Sequence, residues 1–166
     1  VLLGNGLGRE QAQMTFVREL LKRLDKPLVI DADALHATIL KDINPNQCIL
    51  TPHHKELQTL AKNNTATIDA LQHQLKARWV ILQKGSTDHI ITAKETYRNK
   101  TGTPAMAVAG TGDVLAGLTA GFLAQQTTPI QAAINASYLN GKAGEQAQKD
   151  FGNFTAEELL NYLVLR

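Results

Sequence analysis

Short apolar runs that each lead into a helical repeat most constrain how this chain folds. Val1-Leu2-Leu3, Leu28-Val29-Ile30 and Ile49-Leu50 are apolar at every position, as strands buried on both faces of a parallel sheet must be. Met14, Val17, Leu20, Leu21 and Leu24 recur at helical spacing after the first run, and Leu57, Leu60 and Ala61 do so after the third. This is βαβ alternation. A further helix is expected over residues 67–77. Trp79-Val80-Ile81-Leu82 and His89-Ile90-Ile91-Thr92 are strand candidates separated by Gly85-Ser86-Thr87-Asp88, which predicts an antiparallel pair. From Thr111 onward the pattern is helical: residues 114–125, 129 to about 149, and a last helix opened by the capping box Thr155-Ala156-Glu157-Glu158. Strands alternating with helices, then terminal helices, imply a three-layer α/β/α domain on a mostly parallel sheet. With 166 residues the chain has the length of one domain, so residues 1–166 are read as one.

Composition narrows the function classes. Hydrophobic residues make up 43% and charged residues 19%, which describes a globular chain rather than a disordered one. No apolar run approaches the roughly 18 residues that cross a bilayer, so no membrane association is expected. Lys and Arg number 17 against 15 Asp and Glu, and no basic cluster is interleaved with aromatics, which argues against nucleic acid as a partner. The single cysteine, Cys48, rules out an intrachain disulfide framework and a structural zinc site, reads as a small core residue, and fits a reducing, cytoplasmic setting. Residue 1 is Val and an apolar strand begins there. The expectation is therefore a domain lacking its N-terminal portion, and a segment that by itself is poorly soluble or inactive.

The chemistry-bearing residues fall at the carboxyl ends of the strands, where ligands bind in open α/β sheets. Gly4-Asn5-Gly6-Leu7-Gly8 joins a strand to a helix and brings backbone amides close to a ligand, although Arg9 stands where a dinucleotide fingerprint needs its last small residue. Asp31 and Asp33 flank Ala32 just after the second strand, and one of them is expected to cap the following helix. Thr51-Pro52-His53-His54-Lys55-Glu56 puts His53 and Glu56 on one helical face, suited to a ligand or a hydrated cation, with dipole compensation by Glu56 as the structural alternative. Lys84, Gly85, Ser86, Thr87 and Asp88 offer amides, hydroxyls and an ammonium to a phosphate or ribose, or form a plain hairpin turn. In Ala109-Gly110-Thr111-Gly112-Asp113, glycines just before a helix free several amides beside a carboxylate. That is an anion hole with a base attached, suited to phosphoryl transfer to a hydroxyl, with Asp113 as a helix-capping residue that satisfies amides as the structural alternative.

Taken together, Gly4-Asn5-Gly6-Leu7-Gly8, Ile30-Asp31-Ala32-Asp33-Ala34-Leu35, Thr51-Pro52-His53-x-x-Glu56, Lys84-Gly85 and the stretch 109–117 resemble the ADP- or ATP-dependent NAD(P)H-hydrate dehydratases of the ribokinase-like superfamily. The resemblance runs from residue 1 to about 150. It implies a ribokinase-like fold and repair of the S-epimer of hydrated NADH and NADPH, in which a nucleotide phosphorylates the ring hydroxyl and phosphate then leaves; with ADP the products are AMP and phosphate. It implies Asp113 as the base and a substrate contact, Gly110, Thr111 and Gly112 as the anion hole, and Gly6 and His53 as further substrate contacts. Lys84, Gly85, Ser86, Thr87, Asp88 and Gly112 then meet the nucleotide, and Glu56 organises Mg²⁺ through water. The family's usual glycine-proline-glycine reads Gly4-Asn5-Gly6 here, and its His-Pro-Gly-Glu reads His53-His54-Lys55-Glu56. The resemblance also implies a homo-oligomer, fusion to or cooperation with an NAD(P)H-hydrate epimerase, and ADP in preference to ATP because the single-domain character resembles prokaryotic members. Two rivals share these loops. A ribokinase-like kinase of a vitamin-precursor alcohol would stop at the phosphorylated product, and the neighbourhoods of His53-x-x-Glu56 and residues 103–107 favour the dehydratase over it. A noncatalytic nucleotide-binding module would have no use for the negative charge of Asp113 beside a phosphate.

Overall fold

The computed structural model describes residues 1–38, 40–64 and 67–163; the remaining residues of the expected domain span lie outside the description. The strands are β1 (Leu2–Leu3), β2 (Leu28–Ile30), β3 (Cys48–Leu50), β4 (Trp79–Gln83), β5 (Asp88–Ile91) and β6 (Thr96–Asn99). They form one sheet in sequence order. The β1-β2, β2-β3 and β3-β4 pairs are parallel, while β4-β5 and β5-β6 are antiparallel. The expected three-layer, mostly parallel architecture and the antiparallel hairpin are both present.

Strand periodicity distributes the core between two layers, because successive side chains point to opposite faces. Leu28, Ile30, Cys48, Leu50, Trp79 and Ile81 pack with Met14, Val17, Leu21, Leu57, Leu60 and Leu71. Those partners come from α1 (Gln11–Arg23), α3 (His54–Asn64) and α4 (Ile68–His73), with the short α2 (Ala32–Ala37) completing the layer. Val29, Ile49, Val80, Leu82 and Ile90 face the other way, onto α5 (Thr111–Ala124) and α6 (Pro129–Phe151). Each fully buried aliphatic side chain contributes about 1.5–3 kcal/mol, which is why three-residue strands suffice when both faces are covered. Cys48 is one of these core residues, and burial pushes its thiol up to about 12. The last helix, α7 (Ala156–Leu160), has both halves of the Thr155/Glu158 capping box and packs Leu159 beside Ala143 and Ala147 of α6.

Several boundaries differ from the sequence reading. The helix expected over 67–77 ends at His73, where Gln74 to Arg78 turn the chain into β4. Helix α5 begins at Thr111 rather than 114, because Gly110 at φ +92° supplies the left-handed entry. Strand β6 (Thr96–Asn99) carries no clear apolar period of its own and is not among the expected elements, whereas the helix expected after Asp31 and Asp33 is present as the six-residue α2. Among the described residues no helix is long and apolar enough to cross a membrane.

Candidate active site

At the carboxyl ends of β3 and β4, Lys84 N–H donates to the Pro52 carbonyl at 2.9 Å, and an isolated parallel bridge joins His53 to Lys84. This bridge brings two of the motifs side by side. Beyond it lies a cavity of about 650 Å³ whose walls include His53, Lys84, Gly85, Ser86, Asp88, Thr111 and Gly112. The wall opposite is a strap over residues 101–107 together with Asn140 and Gly141 of α6. Thr87, Gly110, Gly6, Glu56 and Asp113 are not wall residues, and Gly6 stands exposed in its loop. Two further hollows, of about 490 and 680 Å³, contain none of the predicted site residues.

The start of α5 is the anionic seat of the cavity. The first intrahelical bond runs from Val114 N–H to the Gly110 carbonyl at 3.0 Å, which leaves the Thr111, Gly112 and Asp113 amides without helical acceptors. The Thr111 hydroxyl lies 2.8 Å from the Met106 carbonyl and 3.0 Å from that of Val108, fixing the loop from behind. A Cβ on Gly112 would stand 3.6 Å from the Lys84 ammonium nitrogen, so the ammonium stands beside the backbone that opens α5. Asp113 is exposed, and its carboxylate accepts a hydrogen bond from the Asn5 amide.

Behind this point sits Asp31, buried at 1% exposure. One of its carboxylate oxygens accepts from Lys84 Nζ at 2.7 Å and Thr51 Oγ1 at 2.8 Å, and the other accepts from Asn5 Nδ2 at 2.9 Å. The capping expectation therefore fails for both aspartates. Asp31 occupies the N-cap position of α2 without a side-chain cap bond, because stronger charged partners compete for it. Asp33 accepts from Gly8 N–H at 3.0 Å and Arg9 Nε at 2.6 Å. The Arg9 guanidinium holds its carboxyl below the usual carboxylate range.

The His53 to Glu56 segment is a capping box built on histidine. His53 Nδ1 accepts from the Lys55 and Glu56 amides at 3.1 and 3.3 Å, while Glu56 Oε2 accepts from His53 N–H at 2.8 Å. The network therefore assigns the neutral ring's proton to Nε2, which lies 3.5 Å from Glu56 Oε1. Half of the His53 side chain is exposed to the cavity side, whereas that of Glu56 is 8% exposed. Asp88 ties the 84–88 turn down. Its two oxygens accept from Gly85 N–H at 3.0 Å and Ser137 Oγ of α6 at 2.6 Å, and burial raises its carboxyl above the usual range. Sequence reasoning missed Asn5, Thr51 and Asn140. For Asn140 a signal exists, since it is a polar residue on the Ala-rich buried side of α6, and its Oδ1 is buried without a partner.

Comparison with known proteins agrees with this geometry. A family model described as NAD(P)H-hydrate dehydratase matches residues 1–164. A bifunctional NAD(P)H-hydrate repair enzyme Nnr from Pyrobaculum aerophilum is 40% identical over 173 residues, spanning 98% of this chain and 34% of its own. An ADP-dependent (S)-NAD(P)H-hydrate dehydratase from Cenarchaeum symbiosum is 38% identical over 173 residues, spanning 97% and 59%. Among solved structures, a ribokinase-like superfamily protein from Enterococcus faecalis superimposes with TM-score 0.80 at 30% identity, over 98% of this chain and 60% of that one. An ADP/ATP-dependent NAD(P)H-hydrate dehydratase from Bacillus subtilis, co-crystallised with ATP and Mg²⁺, gives 0.78 at 28%, over 98% and 61%. The chain thus spans about a third to three fifths of the length of these proteins. Its six-stranded sheet, its glycine-opened helix and its match over residues 1–164 place it in one family: the chain belongs to the NAD(P)H-hydrate dehydratases.

Proposed function

We propose that this chain carries nucleotide-binding and catalytic parts of an enzyme that returns the S-epimer of hydrated NADH and NADPH to the reduced dinucleotides, consuming ADP and releasing AMP and phosphate. The observation that carries this reading is the meeting of the Lys84 ammonium with the glycine-opened start of α5, one residue from Asp113. The nucleotide lies between the 84–88 turn and the 110–113 loop, with its terminal phosphate at the amides of Gly110, Thr111 and Gly112. Asp113 takes the proton of the ring hydroxyl as that oxygen attacks the terminal phosphorus and the bond to the AMP oxygen breaks. Lys84 and the loop amides hold the negative charge of the moving group. Phosphate then departs with its C–O electron pair, a proton leaves the adjacent ring carbon, and the double bond returns. His53, at the cavity wall, and Gly6 contact the dinucleotide. Gly85 and Ser86, at the cavity wall, face the nucleotide, with Thr87 in the same turn, while Asp88 acts by holding that turn. The family match and the relatives' ADP dependence support this reading over a kinase that stops at the phosphorylated product.

Magnesium neutralises phosphate charge in such transfers, but the residues present do not form a protein-held seat for it. Among the described residues no three His, Cys, Asp or Glu side chains come together as a metal site. The Glu56 carboxylate is nearly buried and committed to the His53 amide, so any contact with a nucleotide-bound cation runs through water. Cytoplasmic location and homo-oligomeric assembly belong to the same proposal. So does cooperation with an NAD(P)H-hydrate epimerase, supported by a bifunctional relative of which this chain spans 34%.

Asp113→Asn tests the assignment. ADP affinity is expected to stay near that of the unaltered chain while turnover of hydrated NADH falls by roughly 10² or more, the scale of lost general-base catalysis. Unchanged turnover would remove Asp113 from the mechanism.

A further inference from the structure

Asp31 is a buried carboxylate to which the proposed chemistry gives no task. Desolvating an ion pair costs free energy that a well-packed apolar pair would not incur, and Asp31 at 1% exposure sits beneath Lys84 at 18%. Its hydrogen bonds show how that cost is met and where the pair points. Oδ1 takes the Lys84 ammonium and the Thr51 hydroxyl, and Oδ2 takes the Asn5 amide. Asn5 then spends its second N–H on Asp113. The orientation of that amide is fixed, because the reverse would set its oxygen against two carboxylates. Asn5 Oδ1 is correspondingly left without a partner. Four segments distant in sequence, at 5, 51, 84 and 113, are thereby tied to one carboxylate. Lys84 uses one of its three donors on Asp31 and stands beside Gly112 with the others.

From this geometry we infer that Asp31 is a positioning residue: it fixes the Lys84 ammonium beside the Gly112 amide and, through Asn5, holds the Asp113 carboxylate in register with it. The inference rests on the functional reading above for what occupies the site. It divides the network into two arms, one serving nucleotide affinity through Lys84 and one serving turnover through Asn5.

A thermodynamic cycle on ADP binding, measured by titration calorimetry with the purified chain, tests it. An amide at position 31 must present its NH₂ either to the Lys84 ammonium or to the Asn5 NH₂, groups that only donate, so Asp31→Asn breaks the network in both orientations. That variant is expected to weaken ADP binding about tenfold, the scale of a charge-assisted hydrogen bond. In a Lys84→Met background it should weaken binding no further, since Asp31 acts through Lys84. Asn5→Ala should keep the ADP dissociation constant within about twofold while lowering kcat by about tenfold. Where Asp31→Asn fails to fold, Asp31→Glu displaces the charge by one methylene and serves the same cycle. Equal weakening with and without Lys84, or an unchanged ADP affinity, overturns the inference. ADP binding with no turnover of hydrated NADH sinks the functional reading and leaves the cycle to decide this one. A chain that binds no ADP sinks both.

Discussion

Gly4 turns at φ +129° beside the end of β2, and a Cβ there would stand 1.8 Å from the Asp31 carbonyl oxygen and 2.9 Å from the Ala34 Cβ. Backbone cannot yield as a flexible side chain can, so Gly4→Ala must displace either the loop or Asp31 itself. Gly6 has φ +67° with nothing within 4 Å of its Cβ position, so its methyl meets only the intrinsic left-handed penalty. Gly6→Ala is expected to cost about 1 kcal/mol, and Gly4→Ala on the order of 3 kcal/mol or more, in urea unfolding of the two variants. Equal costs would show that the contact between the first loop and Asp31 is not tight. The glycines of the first loop and the Gly110 entry to α5 were legible because left-handed turns and helix starts are local. The role of Asp31 was not. Its partners stand at positions 5, 51 and 84, and no spacing within a single chain segment announces them.

At the level of elements, β2 and β3 were legible because both faces are covered and every residue is apolar, so the runs stand out from their surroundings. β6 is the opposite case: Thr96, Tyr97 and Arg98 are exposed at the sheet edge, and its backbone pairing with β5 holds a strand that apolar patterning does not mark. The strap over the cavity is set by α6 rather than by its own residues. Gly102 N–H donates to Glu145 Oε1 at 3.1 Å, the Thr103 hydroxyl bonds Gln148, and two helical glycines make room for the chain above them. A Cβ on Gly141 would approach the Thr101 carbonyl carbon to 2.7 Å and its Oγ1 to 2.2 Å. Two effects oppose each other in Gly141→Ala. Helix propensity favours alanine by about 1 kcal/mol, while overpacking against backbone costs about 1–3 kcal/mol. The clash includes the Thr101 main chain as well as its short side chain, so destabilisation should prevail, with a net loss of up to about 2 kcal/mol by urea unfolding and weakened ADP binding as the strap lifts. A stabilised variant with unchanged binding would show that the strap moves away freely.

Across the whole molecule, the two layers differ in how they respond to acid. The layer of α1 to α4 contains His36, half-buried on α2, whose imidazole is pushed below its ordinary value first by burial and then by the Arg9 cation and, more weakly, by His53, with Glu56 and Asp33 pulling the other way. A group whose pKa is lower in the folded state contributes stability that is present above its unfolded value and is lost as pH falls toward the folded one. Asp33, also lowered, adds a loss of the same sign further down, in the carboxylate range. Asp88, beneath α6, has the opposite sign: its pKa is raised, so ionisation in the fold is unfavourable and acidification through the carboxylate range relieves it. The histidine effect comes first on the way down from neutrality, because the unfolded imidazole titrates near 6.5 and the carboxylates well below it. The chain is therefore expected to lose a few degrees of Tm between about pH 7.5 and about pH 5.5, with the loss diminished in His36→Gln. Thermal melts of both proteins across that range check it directly. An identical slope in the variant would assign the acid sensitivity to groups other than His36, and no loss of Tm over that range would overturn the expectation.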